Sequence, residues 1–190
     1  MRIGMLGGTF DPIHRGHLRA AENAQRALGL DRVEFIPAGI PPHREAPAAS
    51  AFDRYAMVAL ATADSPVFVP SDVELRRQGP SYTVDTVRAL RAAHAGAEVV
   101  LIVGADNLRL LPTWKDPDEI LGLVELAVVG RPGEVPPGAP PPGARVTHVA
   151  GTDLPIASRE VRARLLSGAE VGGMVPPPVL SYIQKKGLYR

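Results

Sequence analysis

Residues 1–18 read MRIGMLGGTFDPIHRGHL, and the order of residue types in this stretch decides how the rest of the chain is read. Arg2 to Leu6 is a short aliphatic run that ends at the pair Gly7-Gly8. Beyond it the pattern turns helical, with Leu18, Ala21, Ala24 and Leu28 recurring on one face. Further aliphatic runs at Arg32 to Pro37, Glu98 to Val103, Val124 to Val129 and Arg145 to Val149 predict strands. Helical spacing at Ala56, Met57, Leu60 and Ala63, and again at Val84, Val87 and Leu90, predicts helices between them. The strands are apolar throughout and do not alternate, which predicts an α/β fold with a mainly parallel sheet covered by helices on both faces. Ligands of such sheets collect at the carboxyl ends of the strands.

Two more helices are predicted in the tail, one carrying Val161 and Leu165 and one carrying Val179, Tyr182 and Ile183 after Pro176-Pro177-Pro178. They make a small C-terminal helical part. The stretch from Arg131 to Gly143 is rich in proline and glycine and has no periodicity, so it reads as a surface loop between two strands.

A length of 190 residues fits one domain spanning residues 1–190. With 21 basic and 20 acidic residues spread along the chain, no run of charge would track a nucleic acid or an anionic membrane, so a bound phosphate must be held locally. The absence of cysteine excludes a disulfide framework, a thiolate zinc site and a thiol nucleophile. The start of the chain lacks the pattern of a secretory signal, and the strongly apolar stretch Val99 to Val103 is far short of the roughly 20 residues that cross a bilayer. A cytoplasmic protein without a membrane span is expected.

The chemistry concentrates in Gly7 to His17. Two glycines at the end of a strand would let the backbone turn tightly and bring the amides of Thr9 and Phe10 up to an anion. His14 and His17, three apart, would share one face at the start of a helix, where the helix dipole favours negative charge, and Gly16 between them would leave room for a ligand. Two imidazoles so placed can donate hydrogen bonds to phosphate oxygens as charge builds in a transition state. A zinc site would need a third ligand at useful spacing; His43, His94 and His148 are scattered. The segment has neither the G-x-G-x-x-G of a dinucleotide fingerprint nor the G-K-[ST] of a Walker loop, so a dehydrogenase or kinase loses its main support.

GGTFDPIHRGHL resembles the signature of the cytidylyltransferase-like nucleotidyltransferases, Rossmann-like proteins in which the HxGH histidines bind nucleotide phosphates. Within that superfamily the chain is similar to the bacterial nicotinate-nucleotide adenylyltransferases over nearly its full length. The blocks that carry this likeness are Pro37 to Arg44, Gly79 to Thr86, Ile102 to Asn107, Trp114-Lys115 and Ile156 to Arg162. The resemblance implies an ATP site at Gly7, Gly8, Thr9, Phe10, His14, His17, Gly104, Asp106, Arg131, Ser158 and Arg162. It implies a nicotinate mononucleotide site at Thr9, Arg44, Ser81, Tyr82, Thr83 and Trp114. His14, His17, Arg44 and Arg162 would stabilise charge. Where the family usually has lysine this chain has Arg44, which keeps the charge on a wider planar fork. Ala157, Arg159 and Val161 depart from the family's ISSTxIR block, so only Ser158 and Arg162 are carried over.

Several of these residues also have readings of their own. Pro41-Pro42 would stiffen a loop that presents Arg44 to phosphates. Ser81 or Thr83 could cap the third helix, whose first amides could hold a carboxylate. Trp114, the only tryptophan, lies in a loop context suited to stacking on a flat ring. Asp106 closes a buried strand and could orient a ribose hydroxyl or a metal-bound water.

The implied reaction joins the AMP moiety of ATP to nicotinate mononucleotide, giving deamido-NAD and pyrophosphate. Mg²⁺ is expected with ATP, held mainly by phosphates, and no protein residue is assigned as a metal ligand. The expected partners are ATP and nicotinate mononucleotide, without nucleic acid or membrane, and self-association as a homo-oligomer is left open. A phosphopantetheine adenylyltransferase and a non-catalytic nucleotide-binding protein on the same fold are the alternatives.

Overall fold

In the computed structural model, which describes residues 1–42, 46–130, 143–151 and 154–190, six strands form one sheet in which every pairing is parallel. The strands are β1 (Arg2–Gly8), β2 (Arg32–Pro37), β3 (Phe68–Pro70), β4 (Glu98–Gly104), β5 (Glu125–Val129) and β6 (Val146–Val149). Their order across the sheet is β3-β2-β1-β4-β5-β6, the doubly wound order in which the winding reverses between β1 and β4. The expected α/β, Rossmann-like class is therefore present, with helices at the C-terminal end.

The helices are α1 (Arg15–Leu28), α2 (Ala51–Thr62), α3 (Thr83–Ala93), α4 (Ala105–Leu110), α5 (Pro117–Leu123), α6 (Ser158–Leu166) and α7 (Pro177–Lys186). A single 3₁₀ turn, Leu111–Thr113, follows α4. Gly29 stops α1 in the left-handed region at φ 58°, a conformation that costs glycine little.

The central strands β1, β2, β4 and β5 are buried on both faces, as their uninterrupted patterns predict, whereas the edge strand β6 is largely not. Successive residues point to opposite sides, so Leu6, Val33, Phe35, Val100 and Ile102 pack in one core while Met5, Ile36, Val99, Leu101 and Val103 pack in the other. The first core also takes residues of α1, α2, α6 and α7, and the second takes residues of α3, α4 and α5. Phe35 is fully buried, and a side chain of its class contributes roughly 1.5–3 kcal/mol by leaving water.

Three elements are additional to the sequence reading. β3 is three residues long and ends at Pro70 on the sheet edge, where a missing N–H is tolerated, and so short a run has no measurable period. The helices α4 and α5 have six and seven residues, again too few for a periodic signal. The proline-rich loop expected from Arg131 to Gly143 falls between β5 and β6, and residues 131–142 lie outside the described residues.

The register locates an opening. β1 pairs with β2 as far as Gly8↔Pro37, but with β4 only as far as Met5↔Leu101. β4 meanwhile stays with β5 up to Gly104↔Val129. The carboxyl ends of β1 and β4 thus part after Met5 and Leu101, and a crevice opens between Gly7-Gly8 and Gly104.

Candidate active site at the parting of β1 and β4

The glycine pair does not make the turn that the sequence suggests. Gly7 and Gly8 both lie within β1, and the backbone reverses at Phe10, which has φ 50°, and at the cis Asp11-Pro12 peptide. Gly7 is exposed at the crevice, and a Cβ placed on it would meet no heavy atom within 4 Å. Gly8 is needed for a different reason: its Cβ would lie 3.2 Å from the Phe10 ring. That ring is buried and edge-on to His17, with centroids 5.0 Å apart.

His14 is the N-cap of α1, in extended conformation, and His17 is the third helical residue. The expectation that both histidines ride on one helical face is corrected: they meet because the cap folds back on the first turn. Their rings stack with centroids 3.6 Å apart, and the His14 backbone N–H donates to His17 Nδ1 at 3.2 Å. With Nδ1 accepting, the His17 ring carries its proton on Nε2. Gly16 makes room for His14 itself and not for a ligand, since its Cβ would lie 3.1 Å from His14 Nδ1.

His14 is buried, and burial lowers its pKa from the usual 6.5 to about 4. It is therefore neutral at physiological pH. Its Nδ1 is buried without a hydrogen-bond partner among the described residues.

The head of α6 docks on the same turn. Ser158 Oγ donates to the Pro12 carbonyl at 3.0 Å, and Arg162 Nη1 donates to the Asp11 carbonyl at 2.6 Å. His14, His17, Ser158 and Arg162 are thereby brought together, although Ser158 and Arg162 are engaged with backbone. The Asp11 carboxylate accepts the backbone N–H groups of Ala48 at 2.8 Å and Ala49 at 3.1 Å and the Tyr189 hydroxyl at 2.7 Å, with Arg162 Nη1 at 3.7 Å. Burial first, and then the hydrogen bond to Asp11 and the charge of that carboxylate, hold the Tyr189 pKa well above its ordinary value.

A second group forms around the start of α3. Ser81 does not cap that helix; Tyr82 occupies the cap position and gives no side-chain bond, while Thr83 is the first helical residue. Ser81 Oγ instead accepts the N–H groups of Gly39 at 2.9 Å and Ile40 at 3.3 Å, tying α3 to the turn after β2. Trp114 is half-buried in the loop after the 3₁₀ turn and packs on the second core. Its neighbour Lys115 places Nζ 4.8 Å from the Tyr82 ring centroid and 3.2 Å from an Asp85 carboxylate oxygen, so Tyr82, Thr83 and Trp114 share one region. Gly104 and Asp106 are exposed at the carboxyl end of β4 and the start of α4. Arg44 and Arg131 lie outside the described residues.

Sequence reading missed the residue that joins these parts. Arg54 on α2 is 1% exposed and donates to the carbonyls of Thr9 at 2.7 Å, Ala38 at 2.6 Å, Gly39 at 3.4 Å and Ala49 at 3.3 Å. Burial lowers its pKa and the nearby Asp11 opposes the shift; a guanidinium nevertheless stays charged. A signal was present, because Arg54 falls three and four residues before Met57 and Val58 on the buried face of the helix.

A cytidylyltransferase-like family model matches residues 5–166. A probable nicotinate-nucleotide adenylyltransferase of Thermus thermophilus is 47% identical over 190 residues, covering all of both chains. One of Streptomyces coelicolor is 43% identical over 188 residues, covering 97% of this chain and 99% of the relative. Among solved structures, the nicotinic acid mononucleotide adenylyltransferase of Plasmodium falciparum complexed with NaAD superposes with a TM-score of 0.81 at 16% identity, covering 99% of this chain and 97% of that one. The same enzyme complexed with APC gives 0.79 at 16% identity, covering 99% and 96%. At that identity the structural likeness supports the fold.

Proposed function

The chain belongs to the cytidylyltransferase-like family, and on that premise we propose that it is a nicotinate-nucleotide adenylyltransferase, joining the AMP moiety of ATP to nicotinate mononucleotide in NAD biosynthesis. The observation that carries the reading is the placement of the stacked His14/His17 pair, with the head of α6 docked beside it, where β1 and β4 part.

ATP lies across that opening with its phosphates over the end of β1 and the starts of α1 and α6. The 5′-phosphate oxygen of the mononucleotide attacks the α-phosphorus in line, the bond from that phosphorus to the bridging oxygen breaks, and pyrophosphate leaves. The nucleophile is already an anion, so positioning and charge stabilisation supply the rate and no covalent enzyme intermediate forms. His14 and His17 donate to phosphate oxygens as charge develops, and Arg162, tethered to the Asp11 carbonyl, supplies a nearby cation. By the family resemblance, Arg44 would add a cation for the phosphates and Arg131 a contact on the adenosine side. Thr9 and the Ser81-Tyr82-Thr83 and Trp114 region receive the mononucleotide, and Gly104 and Asp106 face the nucleoside of ATP.

Mg²⁺ fits this arrangement as a companion of the substrate. The exposed Asp106 carboxylate at the crevice edge can meet a metal-bound water, and among the described residues no cluster of three acidic or histidine side chains forms a cage of its own. Bound to the phosphates, the ion would neutralise the charge of the departing pyrophosphate. Residues 1–190 act as one unit, supported by Tyr189 reaching back to Asp11, and the reaction takes place in the cytoplasm, where ATP is supplied.

The test is stereochemical and analytical. With ATP chirally labelled at the α-phosphorus by sulfur, the phosphorothioate analogue of deamido-NAD should form with inverted configuration. Retention would mean an enzyme-bound adenylyl intermediate, and absence of the dinucleotide would reject the reaction.

A further inference from the structure

Between the phosphate end and the acceptor end lies a buried carboxylate that the reaction does not use. Glu74 is 6% exposed, and Thr86, itself fully buried, donates from Oγ1 to Glu74 Oε1 at 2.6 Å. Ser81 Oγ, which accepts the Gly39 backbone N–H at 2.9 Å, belongs to the same turn. Arg77 Nη2 donates to Thr86 Oγ1 at 3.1 Å and to the Tyr82 carbonyl at 3.5 Å. The Glu74 backbone presses on the same turn, since a Cβ at Gly39 would lie 2.8 Å from the Glu74 carbonyl oxygen.

These contacts converge on the residues that Arg54 holds from the other side. Arg54 fastens Thr9 to Ala38 and Gly39, Ser81 Oγ holds the Gly39 N–H, and Glu74 lies against Gly39 while accepting from Thr86. The buried side chains of Arg54 and Glu74 thus link the end of β1 to the start of α3 through one turn.

We propose that Glu74 is a positioning residue for the acceptor mononucleotide, setting the Gly39-Ile40 turn and the first turn of α3 in register with the phosphate end of the site. The inference rests on the acceptor-site reading given above. Glu74 touches neither substrate; it acts through Thr86 and the Gly39 turn. An ordinary buried hydrogen bond would affect stability alone, whereas a positioning bond affects one substrate more than the other.

The experiment measures kcat, the KM for each substrate and the melting temperature for the wild type, Glu74→Gln, Thr86→Val and Thr62→Val. Thr62 is a control, because its buried hydroxyl donates to the Val58 carbonyl within α2 and has no part in the site. Glu74→Gln and Thr86→Val should each raise the KM for nicotinate mononucleotide roughly tenfold, leave the KM for ATP unchanged and reduce the preference for the acid over the amide mononucleotide. Thr62→Val should lower only the melting temperature. If Glu74→Gln does not fold, Thr86→Val carries the test. Both KM values unchanged in Thr86→Val, or both raised together, would overturn the proposal while leaving the reaction standing. A wild type that makes no dinucleotide would reject the reaction and this role with it.

Discussion

The backbone N–H of His14 donates to Nδ1 of His17 at 3.2 Å, and this bond fixes the tautomer of the second histidine while the two rings stack. His17 is therefore set as an Nε2–H donor before any phosphate arrives. Replacing His17 with alanine should lower kcat by about 10²–10³, as expected for removal of one preorganised donor, with a much smaller effect on the unfolding midpoint. Parallel turnover and urea-unfolding measurements check this, and an unchanged turnover number would remove His17 from the chemistry.

Burial of His14 also makes stability depend on pH. Its folded pKa is lowered to about 4 while the unfolded chain titrates near 6.5, so the unfolded state binds more protons between those values. The stabilising contribution is complete above pH 6.5 and is lost as pH falls towards 4, by about 3 kcal/mol over the window. Urea unfolding from pH 7.5 to 4.5 should show a steeper loss in the wild type than in His14→Gln. Equal slopes would mean that His14 is not held neutral by the fold.

Gly7 and Gly39 separate ligand approach from packing. A Cβ on Gly7 meets no atom within 4 Å, so Gly7→Ala should fold with unchanged stability and yet raise the KM for ATP, because the side chain would stand in the crevice. A Cβ on Gly39 meets the Glu74 carbonyl at 2.8 Å, and backbone cannot step aside as a side chain can. Gly39→Ala should cost about 1–3 kcal/mol of stability. Thermal melts of the two variants with ATP titrations distinguish the cases.

Arg54 cannot be replaced by another cation. Its planar fork reaches the carbonyls of Thr9, Ala38 and Gly39 together, and a lysine ammonium cannot span them. Arg54→Lys should be destabilised by roughly 1–3 kcal/mol, since buried carbonyls lose their donors, and kcat/KM should fall for both substrates. Activity retained at the wild-type level would separate this network from the site.

The parallel sheet could be read from the aliphatic runs because strands buried on both faces leave no alternation. The crevice could not, since it depends on β1 and β4 parting after Met5 and Leu101, a matter of register. His14 and His17 could be picked out by spacing, but their manner of meeting could not: it requires His14 to be a cap. The tie from Arg162 to the Asp11 carbonyl spans 151 residues, and no local pattern announces it. Arg54 was visible as a charge on an apolar helix face, whereas Glu74 sits in an irregular stretch with no period to violate.

Pyrophosphate release from ATP and Mg²⁺, with nicotinate mononucleotide, nicotinamide mononucleotide and phosphopantetheine offered separately at equal concentration, tests the central claim most directly. Release chiefly with nicotinate mononucleotide is the predicted result. Release chiefly with phosphopantetheine, or with none of the three, would contradict it.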